Sequence, residues 1–438
     1  MRRSRGSAVW RTTVGAVLLC VTLGLVGCAL LWPEPPATGD VARSSLPRDM
    51  NPDVANEDAA ALIAGNGAFA LDLLGEIAST EGDLFYSPYS ISSALAMVYA
   101  GARGKTERQM ADVLRFPLDQ GDLHPAFNRI DLALNGRGEI GPPYEGAGFD
   151  LSVINAAWGQ RGYSFLRSYL DTLAVSYGSG LRLLDFVEDP EGARETINDW
   201  VSGETNDRIV DLLPPGSIDS AVRLVLTNAI YFNAPWLKPF DPQETADGTF
   251  EPLGGGSVVL PMMHQLETFS YTSWDGGQAV ELPYNGETLS MVLFVPDRGR
   301  YEAFESAFGF AHYEEIVGSL EPRQIDLLLP RFEIAYDLSL VDPLMELGMT
   351  DAFSGFADFS GIDGARDLFI SDVLHQSWVS IDEAGTEAAA ATAVIVPLVA
   401  YPGPLVELTV NRPFLFVIRD VPTGTILFVG RVVHLATD

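Results

Sequence analysis

With 438 residues, 47% of them hydrophobic, the chain can bury a large core, and its length suggests two or three domains. Its formal charge of −32, from 59 acidic and 27 basic residues, excludes nucleic-acid binding and electrostatic attraction to anionic lipid or heparin-like polymers. Cys20 and Cys28 are the only cysteines and the five histidines are scattered with no HExxH pair, so neither a disulfide framework nor a metal site is expected in the body.

At the N-terminus Arg2, Arg3, Arg5 and Arg11 precede an uncharged run over 12–33, the basic and apolar regions of an export signal. The run contains Leu25-Val26-Gly27-Cys28, which resembles a bacterial lipobox. In such signals the cysteine is diacylated and becomes the mature N-terminus; Gly27 fits a small peptidase subsite and Cys28 supplies the thiol. The alternative is an uncleaved anchor, because the 19 residues 14–32 could just span a bilayer. Residues 1–27 are therefore expected to be a signal peptide. The rest, with a formal charge of −36, is expected to be exported as a cell-envelope lipoprotein or a secreted protein, with a membrane as partner through the N-terminal lipid. Residues 28–56, rich in Pro, Ser and charge from residue 33 onward, read as a flexible stalk, and the globular domain is expected over 57–438.

Leu62, Phe69, Leu73, Leu74 and Ile77 recur at helical spacing, as do Ile91, Leu95 and Val98, and Met110, Val113 and Leu114 continue it. Residues 136–148 form a Gly/Pro-rich loop, after which FDLSVINAAWGQ reads as a buried strand. Residues 197–213 are a helix candidate and 222–232 an apolar strand. The later half alternates strands with turns such as Asn285-Gly286 and Asp297-Arg298-Gly299, and 339–347 returns to helix. There is no G-x-S-x-G elbow and no phosphate-cradling glycine motif. Asp372 and Asp382 flank His375 in sequence, but acidic neighbours are expected in so acidic a chain, so no catalytic residue and no cofactor is expected.

Residues 382–400 read DEAGTEAAAATAVIVPLVA. The stretch joins Ala-rich helix propensity at one end to strand propensity at the other. Residues 388–396 are too few to cross a bilayer, and Pro397 and Pro402 would soon end a helix. Its small side chains could instead pass between two strands with little steric resistance.

Upstream of this segment stands ISDVLHQSWVSIDEAGTEAAAATA and downstream NRPFLFVIRDVPTGTILFVGRVV. Earlier come FYSPYSISSALAMVYAGARGKTERQMADVLRF, INDWVSGETNDRIVDLLP and LTNAIYFNAPWLKPF, followed in order by LPMMHQ, VELPYNG, LPRFEI, LGMTDAF and ADFSGI. This ordered set, over nearly all of 66–433, resembles the serpins, a family dominated by suicide inhibitors of serine proteases. The resemblance implies an α+β fold of three β-sheets and about eight or nine helices, in one cooperative domain with an exposed reactive-centre loop. It implies a hinge of Glu383, Gly385, Thr386, Glu387, Ala388, Ala389, Ala390, Ala391 and Thr392. It places the cleaved bond at Val399–Ala400, 16 positions after Glu383, with Leu398 the alternative if the register shifts by one. Val399 would suit an elastase-like protease and Leu398 a chymotrypsin-like one. Ser87, Ser90, Asn228 and His375 match the shutter beneath the main sheet, and Arg331, Glu383 and Trp236 match the breach where the loop first inserts. The implied partner is a serine protease held in a covalent complex with a monomeric inhibitor. A non-inhibitory serpin acting as a binding or chaperone-like protein is the alternative. The chain departs from the family pattern at Leu435, where proline is usual, and at Arg208 and Arg331, where lysine is also common.

Overall fold

The structure, a computed structural model, describes residues 40–138, 150–205, 207–386 and 404–435. A short strand, β1 (Asp40–Ala42), precedes α1 (Asn56–Ile77), which buries Leu62, Phe69, Leu73, Leu74 and Ile77 as their spacing requires. After β2 (Leu84–Tyr86), α2 (Pro88–Tyr99) opens on Pro88, with Ser87 Oγ accepting from the N–H of Ser90 at 3.2 Å. Every residue of α2 is buried, which marks it as a central helix of the core. Then follow α3 (Gly104–Val113), α4 (Gln120–Asn135), β3 (Asp150–Gln160), α5 (Arg167–Tyr177), β4 (Leu181–Leu184) and α6 (Pro190–Glu204).

The helix predicted over 197–213 stops at Glu204. Beyond it the chain folds back: Thr205 Oγ1 accepts from the N–H of Ile209 at 3.1 Å. The side chain of Asn198 pairs with the backbone of Leu213 in both directions, at 2.8 and 2.9 Å. β5 (Leu224–Pro235) is followed by β6 (Ala246–Phe250), β7 (Val258–Trp274), β8 (Gly277–Pro283) and β9 (Leu289–Pro296). The predicted turns fall after β8, where Gly286 has a φ of 91°, and after β9. The chain closes with α7 (Tyr301–Ala307), α8 (Phe310–Gly318), β10 (Glu321–Pro330), β11 (Phe332–Ser339), α9 (Val341–Glu346), α10 (Ser360–Asp363), β12 (Asp372–Ile381), β13 (Gly385–Thr386), β14 (Val406–Thr409), β15 (Phe414–Asp420) and β16 (Ile426–Val432).

Seven strands form one sheet in the order β1-β4-β3-β5-β13-β12-β11. Nine form the other, β14-β10-β7-β8-β9-β15-β16-β2 with β6 on β7. β7 is 17 residues long, carrying β6 on its first residues and β8 on its last. The second and third sheets implied by the sequence are therefore continuous through this one strand. Along β12 burial alternates, so Val373, His375, Ser377, Val379 and Ile381 face the interior. Residues Ala37–Asp438 cluster as one compact unit, not the two or three domains that length suggested.

The stretch expected to be a stalk is packed from residue 40 onward. Asp40–Ala42 pairs antiparallel with β4, the N–H of Asp49 donates to Val175 O at 2.9 Å, and Arg48 Nε donates to Asn128 Oδ1 at 2.7 Å. These are backbone and polar bonds, which a segment rich in Pro, Ser and charge can still make, and Ala42 and Val54 pack against the core beside them.

Candidate functional site

The most unusual pairing lies in the middle of the seven-stranded sheet. β5 and β12 run parallel and are hydrogen-bonded to each other from Val225↔Asp372 to Ile230↔Ser377. Beyond that they part, and β13 lies between them: Thr386 stands opposite both Ala234 and Ile381, and Gly385 opposite Pro235. A strand of two residues has thus been set into the open end of a seam whose other end is closed.

Backbone contact and small side chains hold the open end. A Cβ on Gly385 would lie 2.2 Å from Ala234 O, so only glycine permits the approach. Thr386 is fully buried, and its Oγ1 lies 2.8 Å from the hydroxyl of Tyr284. Burial pushes the Tyr284 phenol well above its ordinary pKa, so it stays neutral and can donate. Trp236 stacks on Tyr284 with ring centroids 4.6 Å apart, and its Nε1 donates to Asp382 O at 3.0 Å. The N–H groups of Trp236 and Phe240 donate to Ala384 O and Glu383 O at 2.9 and 2.8 Å. Asp382 Oδ1 accepts from the N–H groups of Ala384 and Gly385, while burial raises its carboxyl above the usual carboxylate range. Glu383 accepts from Thr245 Oγ1 at 2.8 Å and lies 3.7 Å from Arg331, whose side chain is 53% exposed. That exposure makes the ion pair a weak contributor.

The closed end is held by neutral polar groups. Asn228 on β5 and His375 on β12 are register partners, both buried. The N–H of Ser87 donates to His375 Nε2 at 3.1 Å, which leaves the ring proton on Nδ1, facing Asn228 Oδ1. Asn228 Nδ2 in turn donates to Ser90 Oγ and to Asn155 Oδ1. Asn155 Nδ2 donates to Ser90 O at 3.3 Å, and Ser377 Oγ donates to Phe85 O. The N-terminus of α2 is thereby tied to both sides of the seam. Burial drives the His375 pKa down to about 3, so the imidazole is neutral at physiological pH.

The sequence-predicted shutter residues Ser87, Ser90, Asn228 and His375 therefore meet at one end, and Arg331, Glu383, Gly385, Thr386 and Trp236 at the other. The ring of His375 faces Asn228 and Ser87, not the aspartates near it in sequence. Glu387, Ala388, Ala389, Ala390, Ala391 and Thr392, the bond Val399–Ala400 with its alternative Leu398, and Cys28 lie outside the described residues. Sequence reasoning missed Tyr284, Thr245, Asn155 and Ser377. The motif VELPYNG carries Tyr284, but nothing local to it indicates contact with a residue about a hundred positions away. At the C-terminal departure, the N–H of Leu435 donates to Asp83 Oδ2 at 3.1 Å, a bond proline could not make.

A family model described as serpin (serine protease inhibitor) matches residues 64–435. An uncharacterized serpin-like protein from Thermococcus kodakarensis is 40% identical over 372 residues, covering 84% of each chain. The leukocyte elastase inhibitor of Bos taurus is 39% identical over 386 residues, 84% of this chain and 98% of that one. Among solved structures, uncleaved ovalbumin matches with a TM-score of 0.75 at 30% identity, over 85% of this chain and 99% of its own. Tengpin, a thermophilic serpin in its native state, matches with a TM-score of 0.77 at 24% identity, over 90% of this chain and 98% of its own, a likeness of fold alone.

Proposed function

The chain belongs to the serpin family, and from that membership we propose that it is an exported suicide-substrate inhibitor of serine proteases, tethered through its N-terminal leader. The observation that carries the reading is β13: Gly385 and Thr386 already occupy the place of a new strand at the mouth of the β5–β12 seam. The chain that follows them has only to continue the same register.

In this mechanism the protease serine attacks the Val399 carbonyl, the Val399–Ala400 bond breaks, and an ester joins Val399 to the enzyme as Ala400 leaves with a free amine. The cleaved strand then threads down the seam. Roughly fourteen residues, at about 3.3 Å each, carry the enzyme about 45 Å. The parallel β5–β12 pairing is exchanged for antiparallel pairing on both sides of the new strand. A dozen new ladder bonds, each contributing about 0.5–1.5 kcal/mol, supply on the order of 10 kcal/mol toward deforming the enzyme before the ester hydrolyses. The native sheet is then kinetically trapped, with the Asn228–His375 cluster as part of the barrier. An elastase-like target fits the small apolar Val399 and the likeness to a leukocyte elastase inhibitor.

The test is to mix the protein with an elastase-type serine protease and look for a complex that survives SDS, larger than the cleaved inhibitor by one protease mass. Sequencing the released peptide fixes the bond, and Val399→Arg should move inhibition toward trypsin-like enzymes. Cleavage with no complex and no gain in melting temperature would favour a non-inhibitory serpin acting as a binding or chaperone-like protein.

A further inference from the structure

Register alone assigns the two poles of the seven-stranded sheet. Gly385 opposite Pro235 and Thr386 opposite Ala234 fix an antiparallel register on β5. Continued down the strand on insertion, it would set residue 396 opposite Leu224, the first residue of β5, and Val399 just beyond the end of that strand. The other strands mark the same level. Gly159 on β3 is opposite Leu224, Leu183 on β4 is opposite Gly159, and Asp40 on β1 is opposite Leu183. Asp40, Leu183, Gly159 and Leu224 thus form one row across the sheet, and residue 396 would be the next member after insertion. Four strand spacings separate Asp40 from that member, about 19 Å. Because β1 runs antiparallel to β4, the chain traced backward from Ala42 to Asp40 heads out of the same end.

We propose that the N-terminal leader leaves the body at the pole that receives the trapped protease, so a membrane holding the leader faces that protease, and the length of the leader limits trapping. The inference rests on the inhibitory reading and on the export-signal reading of the leader. Its quantitative force comes from the packing of residues 40–55. A stalk running from Cys28 to residue 56 would reach about 100 Å when extended, far more than any protease needs. With β1 fixed on β4 and Arg48 and Asp49 bonded to α4 and α5, only residues 28–39 remain between Cys28 and the body. Those twelve residues reach at most about 40 Å. A globular protease of about 240 residues has a diameter of about 45 Å by the usual size scaling. An anchor in the apolar run up to residue 32 would leave still less reach. The hinge Gly385–Thr386 lies at the other end of β5, away from the lipid, and insertion then brings the enzyme into a gap about its own width.

The test uses the full-length protein reconstituted through its own N-terminus into phosphatidylcholine vesicles, with an elastase-type protease as probe. It is compared with a variant lacking residues 33–38 and with one carrying about twenty Gly/Ser residues after Pro36. In detergent solution all three should form SDS-stable complex with equal stoichiometry. On vesicles the shortened leader should raise the stoichiometry of inhibition several-fold, with cleaved inhibitor in place of complex, and the lengthened leader should restore the solution value. Equal stoichiometry at all three lengths on vesicles would overturn the inference while leaving inhibition standing. Absence of complex in detergent would overturn the inhibitory reading itself, and this inference with it. As a second readout, energy transfer from labelled protease to labelled lipid should be greater in the trapped complex than in the first encounter with a serine-to-alanine protease. Equal transfer would overturn the placement of the pole.

Discussion

The open and closed ends of the β5–β12 seam are made of different materials. At the open end, backbone hydrogen bonds, a glycine and an aromatic stack hold a two-residue strand in place, and the ion pair Arg331–Glu383 is half in solvent. At the closed end the buried cluster is neutral: Asn228, His375, Ser87 and Ser90 satisfy one another in full burial. The difference separates starting an insertion from completing it. The start is decided by shape, since only small side chains fit between Ala234 and Ile381. Completion is decided by exchanging hydrogen bonds, and a neutral cluster suits that role. A buried salt bridge would cost more to part, because each charge would be left uncompensated, while a purely apolar contact would specify no single register.

The contrast is broken most severely at Thr386. Thr386→Arg sets an unpaired guanidinium in a fully buried site, at a cost of several kcal/mol. The protease should then cleave the variant without being trapped, raising the stoichiometry of inhibition by about tenfold or more. Undiminished complex formation would mean that the seam does not open at β13.

Next in size is the closed end. Asn228→Ala removes the acceptor of His375 and the donor to Ser90 and Asn155, a loss of about 2–3 kcal/mol. The native protein should lose inhibitory activity faster on incubation at moderately raised temperature, through spontaneous insertion or polymerisation. A half-life equal to that of the parent would show that the cluster does not contribute to the barrier.

Acid should act on the same end. The His375 pKa is about 3 folded, against an unperturbed value near 6.5. The unfolded or opened state therefore binds more protons between these values, so stability is fully present above about pH 6.5 and falls as pH drops toward 3. Melting curves of the parent should shift downward across this window, and those of His375→Gln should shift less. Buried His124, lowered to about 4, titrates in the same direction but bonds to Tyr177 between α4 and α5, away from the seam. Its contribution cancels between the two proteins. Identical shifts would remove His375 from the account.

Smaller effects belong to the open end. Tyr284→Phe removes the bond to Thr386 Oγ1 while keeping the stack on Trp236, and should change the rate of insertion by the equivalent of about 1 kcal/mol. Arg331→Ala should matter least, at about 1 kcal/mol or below and less at high salt, because its side chain is half exposed. Inhibition kinetics at two ionic strengths would separate these two variants.

How much of this was legible beforehand depended on whether the signal was local. The helical spacing of Leu62 to Ile77, the buried strand ending at Gln160 and the turn at Asn285-Gly286 each follow from side-chain pattern, and each is present. The helix predicted through residue 213 failed because Asn198 reaches Leu213 by side-chain bonds that periodicity does not register. The stalk failed from residue 40 onward for a related reason, since a main chain on a sheet edge bonds through groups that every residue carries.

The sequence by itself determined the family, the mixed α+β fold and the residues able to line a seam, because these rest on residue type and order. Tertiary structure alone decided that Asn228 and His375 are register partners and that Tyr284 meets Thr386. It also decided that Asp40, Gly159 and Leu224 share one row. Such relations join strands far apart in the chain, and they are fixed by hydrogen-bond register between main chains, which leaves no mark in the identity of the residues that carry it.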